Sequence, residues 1–117
     1  MPPGDDQDRL RRAIDAAERV LIHDHGVGEL ADDETADLYA DAVRYGLVLI
    51  RDAASGFSPA VGRADPRIRW GEVAGLADGL SDADAGRVRA AVRAELPDLV
   101  VMARALLARG ALDGGSA

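Results

Sequence analysis

Apolar residues recur along this chain at steps of three and four, and nowhere in strict alternation. Leu10, Ile14, Ala17 and Leu21 share one helical face, and Tyr39, Val43, Leu47, Ile50 and Ala54 share another. No stretch shows the alternating, β-branched pattern of a strand, so the expected fold class is all-α. The apolar residues are mostly Ala, Leu, Val and Ile, with one Phe, one Trp and two Tyr. Small side chains of this kind let helix axes approach closely.

The breakers divide the pattern into elements. The first helix is expected from about Asp5 to Asp24, with Asp5, Asp6 and Asp8 in a first turn where the helix dipole favours negative charge, and Gly26 and Gly28 ending it. Asp32 or Asp33 caps the second, which runs to about Ser55 and stops at Gly56. A short turn or helix follows at Ser58-Pro59-Ala60-Val61, and Asp65-Pro66 interrupts the chain. Trp70 to Leu80 reads as a third helix, with Trp70 a core residue whose indole N–H finds a partner. Ser81, with Asp84 three residues on, reads as the N-cap of a segment carrying Val88, Ala91 and Val92 and ending near Glu95. Pro97 then opens a last helix lined by Leu99, Met102, Leu106 and Leu107, ending at Gly110. The main helices and their short connections predict an up-and-down four-helix bundle with a short extra helix. A single domain is expected over residues 1–112, with residues 113–117 a disordered tail.

Composition narrows the function classes. With no cysteine, neither a disulfide framework nor a thiolate metal site is possible. All fourteen basic residues are arginine, yet the net charge is −7, which makes RNA or DNA an unfavourable partner. No segment reaches the roughly twenty apolar residues that cross a bilayer, and the acidic start Met1-Pro2-Pro3-Gly4-Asp5-Asp6 lacks the apolar region of a secretory signal. A cytoplasmic protein with no membrane role is therefore expected. Neither Asp32-Asp33-Glu34 nor Asp82 with Asp84 has calcium-loop spacing, and no Gly-rich phosphate loop is present. No metal and no cofactor are expected.

Three segments resemble a known family. Asp37 to Ala54 is similar to the long helix of HepT-like HEPN proteins; Asp65-Pro66-Arg67-Ile68-Arg69-Trp70-Gly71-Glu72-Val73-Ala74-Gly75-Leu76 is similar to that family's Pro/Ile-Trp/Glu-Ala-Gly stretch; and Val92-Arg93-Ala94-Glu95-Leu96-Pro97-Asp98-Leu99 resembles its Leu-Pro segment. The resemblance implies a HEPN-like helical homodimer, the toxin component of a toxin–antitoxin pair whose partner is a minimal nucleotidyltransferase. Active members are metal-independent ribonucleases in which an Arg is followed, after four to six residues, by a His. The Arg would stabilise the strained phosphate while the His handles the proton of the attacking 2′-hydroxyl. After Gly75-Leu76 this chain instead reads Ala77-Asp78-Gly79-Leu80-Ser81-Asp82-Ala83-Asp84-Ala85-Gly86, with no Arg, His or Tyr. No catalytic residue transfers from the family, and a non-catalytic partner-binding scaffold is the expected function.

One alternative set has the right residue types. His23-Asp24-His25 gathers both histidines, and Arg19 stands before His25 at the ribonuclease spacing. Arg19, His23 and His25 are therefore the candidate catalytic residues of a relocated ribonuclease site. Their place at the end of the first helix favours a simpler role, capping its carbonyls and meeting its dipole. A plain structural subunit is the remaining alternative. The arginine groups Arg63, Arg67 and Arg69, and Arg87, Arg89 and Arg93, are expected to form solvated rims, the first offset by Asp65 and Glu72.

Overall fold

The computed structural model describes residues 3–27 and 33–110. Among them the chain is all-helical, with α1 (Pro3–Val27), α2 (Asp33–Ser55), α3 (Pro59–Ala64), α4 (Trp70–Gly79) and α5 (Ala85–Ala108). The longest, α1, has 25 residues and is about 37 Å long. No helix among the described residues is long and apolar enough to cross a membrane. The residues expected to form a disordered tail, 113–117, lie outside the described residues.

The helix α2 is the spine. Its apolar stripe of Tyr39, Val43, Leu47 and Ile50 is completely buried, and it touches α1, α4 and α5. From the α1 side Leu10, Ala13, Ala17 and Val20 meet it, and from α5 Val88, Val92, Leu96 and Leu106. Each large apolar side chain removed from water contributes about 1.5–3 kcal/mol, so this shared core holds the helices together. Along this seam α2 places Gly46 against α1. A Cβ on Gly46 would sit 2.3 Å from Val20 Cγ2, so the Val20 side chain packs directly on the α2 backbone.

Polar contacts fasten the connections. The helix α3 begins at Pro59 with Ser58 as its N-cap. The Ser58 N–H and hydroxyl both donate to the buried Asp6 carboxylate of α1. After α3, the Asp65 carboxylate accepts from both Nε and Nη2 of Arg67 at 2.9 Å. Arg69 pairs with Glu72 and Glu95 at 2.8 Å. Trp70 is core as expected, edge-on to Phe57 with ring centroids 4.9 Å apart. Its indole N–H, however, is buried without a hydrogen-bond partner among the described residues. The turn between α4 and α5 is tied to α2 by Arg44, which donates to the backbone carbonyls of Leu80 and Ala83.

Beyond the unpartnered Trp70 N–H, and Gly26, which lies inside α1 rather than ending it, three further readings of the sequence need correction. Ser81 is not an N-cap: it lies in the turn, where its hydroxyl donates to the carbonyl of Asp78. The cap is Asp84, whose carboxylate accepts from the Arg87 N–H at 2.9 Å. The segments on either side of Pro97 are not separate helices but one, α5, with Pro97 inside it. Its buried stripe runs Val88, Val92, Leu96, Leu99, Ala103, Leu106 in unbroken register, so packing on one face outweighs the lost N–H and the ring crowding. Finally, Arg89 is no solvated rim residue. Its side chain is only 12% exposed and is paired with a buried carboxylate.

Candidate functional site

That carboxylate belongs to Asp24. The α1 stripe Leu10, Ala13, Ala17, Val20 advances by threes and fours, and its next step lands on Asp24, which is 7% exposed. A charge at an interior position must be paired, and partners arrive from two other helices. From α2, the Tyr39 hydroxyl donates to Asp24 Oδ1 at 2.6 Å. From α5, Arg89 Nε donates to Oδ1 and Arg93 Nε to Oδ2, both at 3.2 Å. The Arg89 guanidinium also lies over the Tyr39 ring, 5.1 Å from its centroid. This cation–π contact compensates in part for its Nη2, which is buried without a hydrogen-bond partner among the described residues.

These contacts fix the protonation states. Burial pushes the Asp24 carboxyl upward, but the Tyr39 hydrogen bond and the two arginines outweigh it and hold the group below the usual carboxylate value of 3.8. Burial and the adjacent Asp24 charge push the Tyr39 phenol up to about 12. At neutral pH the cluster is thus an ionised carboxylate receiving three donors, one of them a protonated phenol. Both carboxylate oxygens are engaged, and the phenol holds its proton too tightly to serve as a general acid or base. The cluster joins α1, α2 and α5 rather than presenting a reactive group.

The sequence-derived candidates lie around it, and the structure separates them. His23 and His25 are both exposed, as is Arg19. The His23 ring stacks on Tyr39, with centroids 5.8 Å apart and planes 13° from parallel. One turn earlier on the same face, Arg19 joins His23 in lining a recess of about 270 Å³, completed by Tyr45, Gly46 and Leu49 of α2. His25 lies two residues beyond His23, on another side of the helix, and does not line this recess. Arg19 and His23 are brought together, and His25 is not. Among the described residues no cluster of His, Cys, Asp or Glu could hold a metal ion.

Sequence reasoning missed Asp24, Tyr39 as a donor, and the pairing of Arg89 and Arg93. The signal was available in register: the buried α1 stripe points at Asp24, not at its two histidine neighbours. The chain matches no protein-family model, no curated protein and no solved structure.

Proposed function

We propose that this chain is a HepT-like HEPN protein without catalytic activity, acting as a dimeric scaffold that binds a partner, a minimal nucleotidyltransferase in a toxin–antitoxin-type system. The reading takes α1, α2, α4 and α5 as an up-and-down bundle and α3 as the short extra element. One observation carries its non-catalytic half. The segment that follows Gly75-Leu76, where the resembled family has its Arg and His, is here an acidic turn occupied with its own structure. Asp78 pairs with Arg51 at 3.1 Å, Ser81 closes onto Asp78, and Asp84 caps α5. A polyanion would meet carboxylates at this place, with neither an Arg to hold the phosphate nor a His beside it.

The recess shared by Arg19 and His23 favours one second reading, a ribonuclease using relocated residues. The two are separated by incubating the purified protein with single-stranded RNA and by recovering it with its partners from native extract. The scaffold reading expects intact RNA, a homodimer by gel-filtration mass, and a nucleotidyltransferase in stoichiometric amount. Cleavage that His23→Ala abolishes would replace it with the ribonuclease reading. A monomer with neither partner nor activity would overturn both.

A further inference from the structure

The recess beside His23 does not end there. A second recess of about 400 Å³ continues along the same α1–α2 seam, and the two share Ala16, Arg19 and Leu49. Together they form one trough. Its floor is low because Ala16 is small and Gly46 has no side chain, and its α2 wall carries Tyr45, 67% exposed. Seven residues before Tyr45, Leu38 is 65% exposed on the same face of α2. Two large apolar side chains held in water two turns apart form a ladder that a third helix would cover.

Charge says what kind of helix. The chain as a whole carries −7, yet the α1 wall of the trough presents Arg12 and Arg19, also seven residues apart. Most arginines here are spoken for: Arg11 by Asp8, Arg51 by Asp78, Arg104 by Glu18. Arg12 and Arg19 have no ion pair among the described residues. Between them Asp15 lines the same wall, Arg9 stands at its far end, and the one carboxylate on the α2 wall, Asp52, is paired with Arg51 at 3.6 Å. The matching surface is thus a helix with two acidic residues seven apart, none between them, beside an apolar stripe. A second copy fits this face poorly, because a trough laid on its own image leaves two hollows facing each other.

We propose that the α1–α2 trough is the docking surface for an acidic amphipathic helix of another protein. The proposal rests on the scaffold reading above and names the surface and partner chemistry which that reading leaves open. Its test places a photo-crosslinking residue, Tyr45→p-benzoylphenylalanine, in the full chain, irradiates it in native extract, and sequences the adduct by mass spectrometry. The expected adduct is a helix-forming segment of one other protein with acids seven residues apart. Arg12→Glu with Arg19→Glu should lower its yield roughly tenfold, as removal of two complementary pairs implies. Both positions are exposed, and Arg12→Gln with Arg19→Gln gives a milder second variant should the first fold poorly. An adduct to a second copy, to this chain's own terminus or to a segment without acids would overturn the proposal, as would a yield indifferent to charge reversal. If no adduct forms while the unmodified protein still recovers a stoichiometric partner, the trough is wrong and the scaffold reading stands. If no partner is recovered either way, both fall.

Discussion

Asp24 shows how much one residue decides in a core this small. Its carboxylate receives donors from α2 and α5 while sitting on α1, so its removal strands an arginine that is 12% exposed. Asp24→Ala is expected to cost about 3–5 kcal/mol, the usual effect of breaking a buried ion pair from one side, read from the shift in a urea unfolding midpoint. Arg93→Ala should cost under about 1 kcal/mol, because that partner is half in water and its loss leaves Asp24 still paired with Arg89 and Tyr39. Equal effects from the two variants would show that Asp24 is solvated in solution. The sequence concealed this division of labour for a physical reason. Three consecutive residues, His23, Asp24 and His25, point about 100° apart around the helix axis, so a cluster along the chain is not a cluster in space. The chemically versatile histidines drew the reading outward while the carboxylate between them faced in.

Helices add constraints that no single residue carries, and the glycines of this chain separate two of them. Gly46 lies where α1 and α2 touch, and a methyl group there must displace the stiff, β-branched Val20. Gly71 and Gly75 of α4 have nothing within 4 Å of a Cβ position. The same substitution should therefore act with opposite signs. Gly46→Ala is expected to lower stability by about 1–3 kcal/mol through overpacking, more than its gain of roughly 1 kcal/mol in helix propensity. Gly71→Ala and Gly75→Ala should each raise it by about 0.5–1 kcal/mol. Thermal unfolding followed by circular dichroism at 222 nm, a standard helix band, reports all three, and a stabilised Gly46→Ala would refute the close contact. Pro97 offers a related case. It occupies an exposed position inside α5, where it cannot donate to the carbonyl of Arg93. Pro97→Ala should raise the stability, by at most about 3 kcal/mol, and with it the unfolding midpoint; a lower midpoint would mean that a bend there sets the packing of Leu99 and Leu106. Element existence was legible in the spacing of apolar residues, α2 most of all, since its expected and observed limits nearly coincide. Element continuity was not, because a proline is a local signal and the stripe that overrode it is distributed over six positions.

At the scale of the molecule, acid should act through a few tied carboxylates rather than through the whole negative surface. Asp65 is drawn down to about 2, first by its side-chain hydrogen bonds from Arg67, and Asp24 lies below its usual value. A carboxyl group with a depressed folded-state value binds fewer protons folded than unfolded. Its contribution is complete above about pH 4 and is lost as the pH falls through the window toward about 2. Stability should therefore fall across that interval, and Asp24→Asn with Asp65→Asn should flatten the decline; an unchanged slope would show that neither group is tied. Tyr39 works at the other extreme. Its contribution is present below its ordinary value of 10.0 and fades as the pH rises toward about 12. The helical class of the molecule and the identity of its core were readable from the sequence. The cluster was not, because it is assembled from three helices whose contact depends on rotation about each axis, and periodicity gives a stripe without saying which stripes meet.

The turn after α4 is fastened in a way that ignores what its residues are. Arg44 reaches from α2 to the main-chain oxygens of Leu80 and Ala83, atoms that every amino acid supplies. Ser81 and Asp82 are exposed within that span. The Arg44 contact would outlast a change at either position, which makes Asp82, free of the Ser81 hydroxyl's closure onto Asp78, a place where the chain can accept a reporter label.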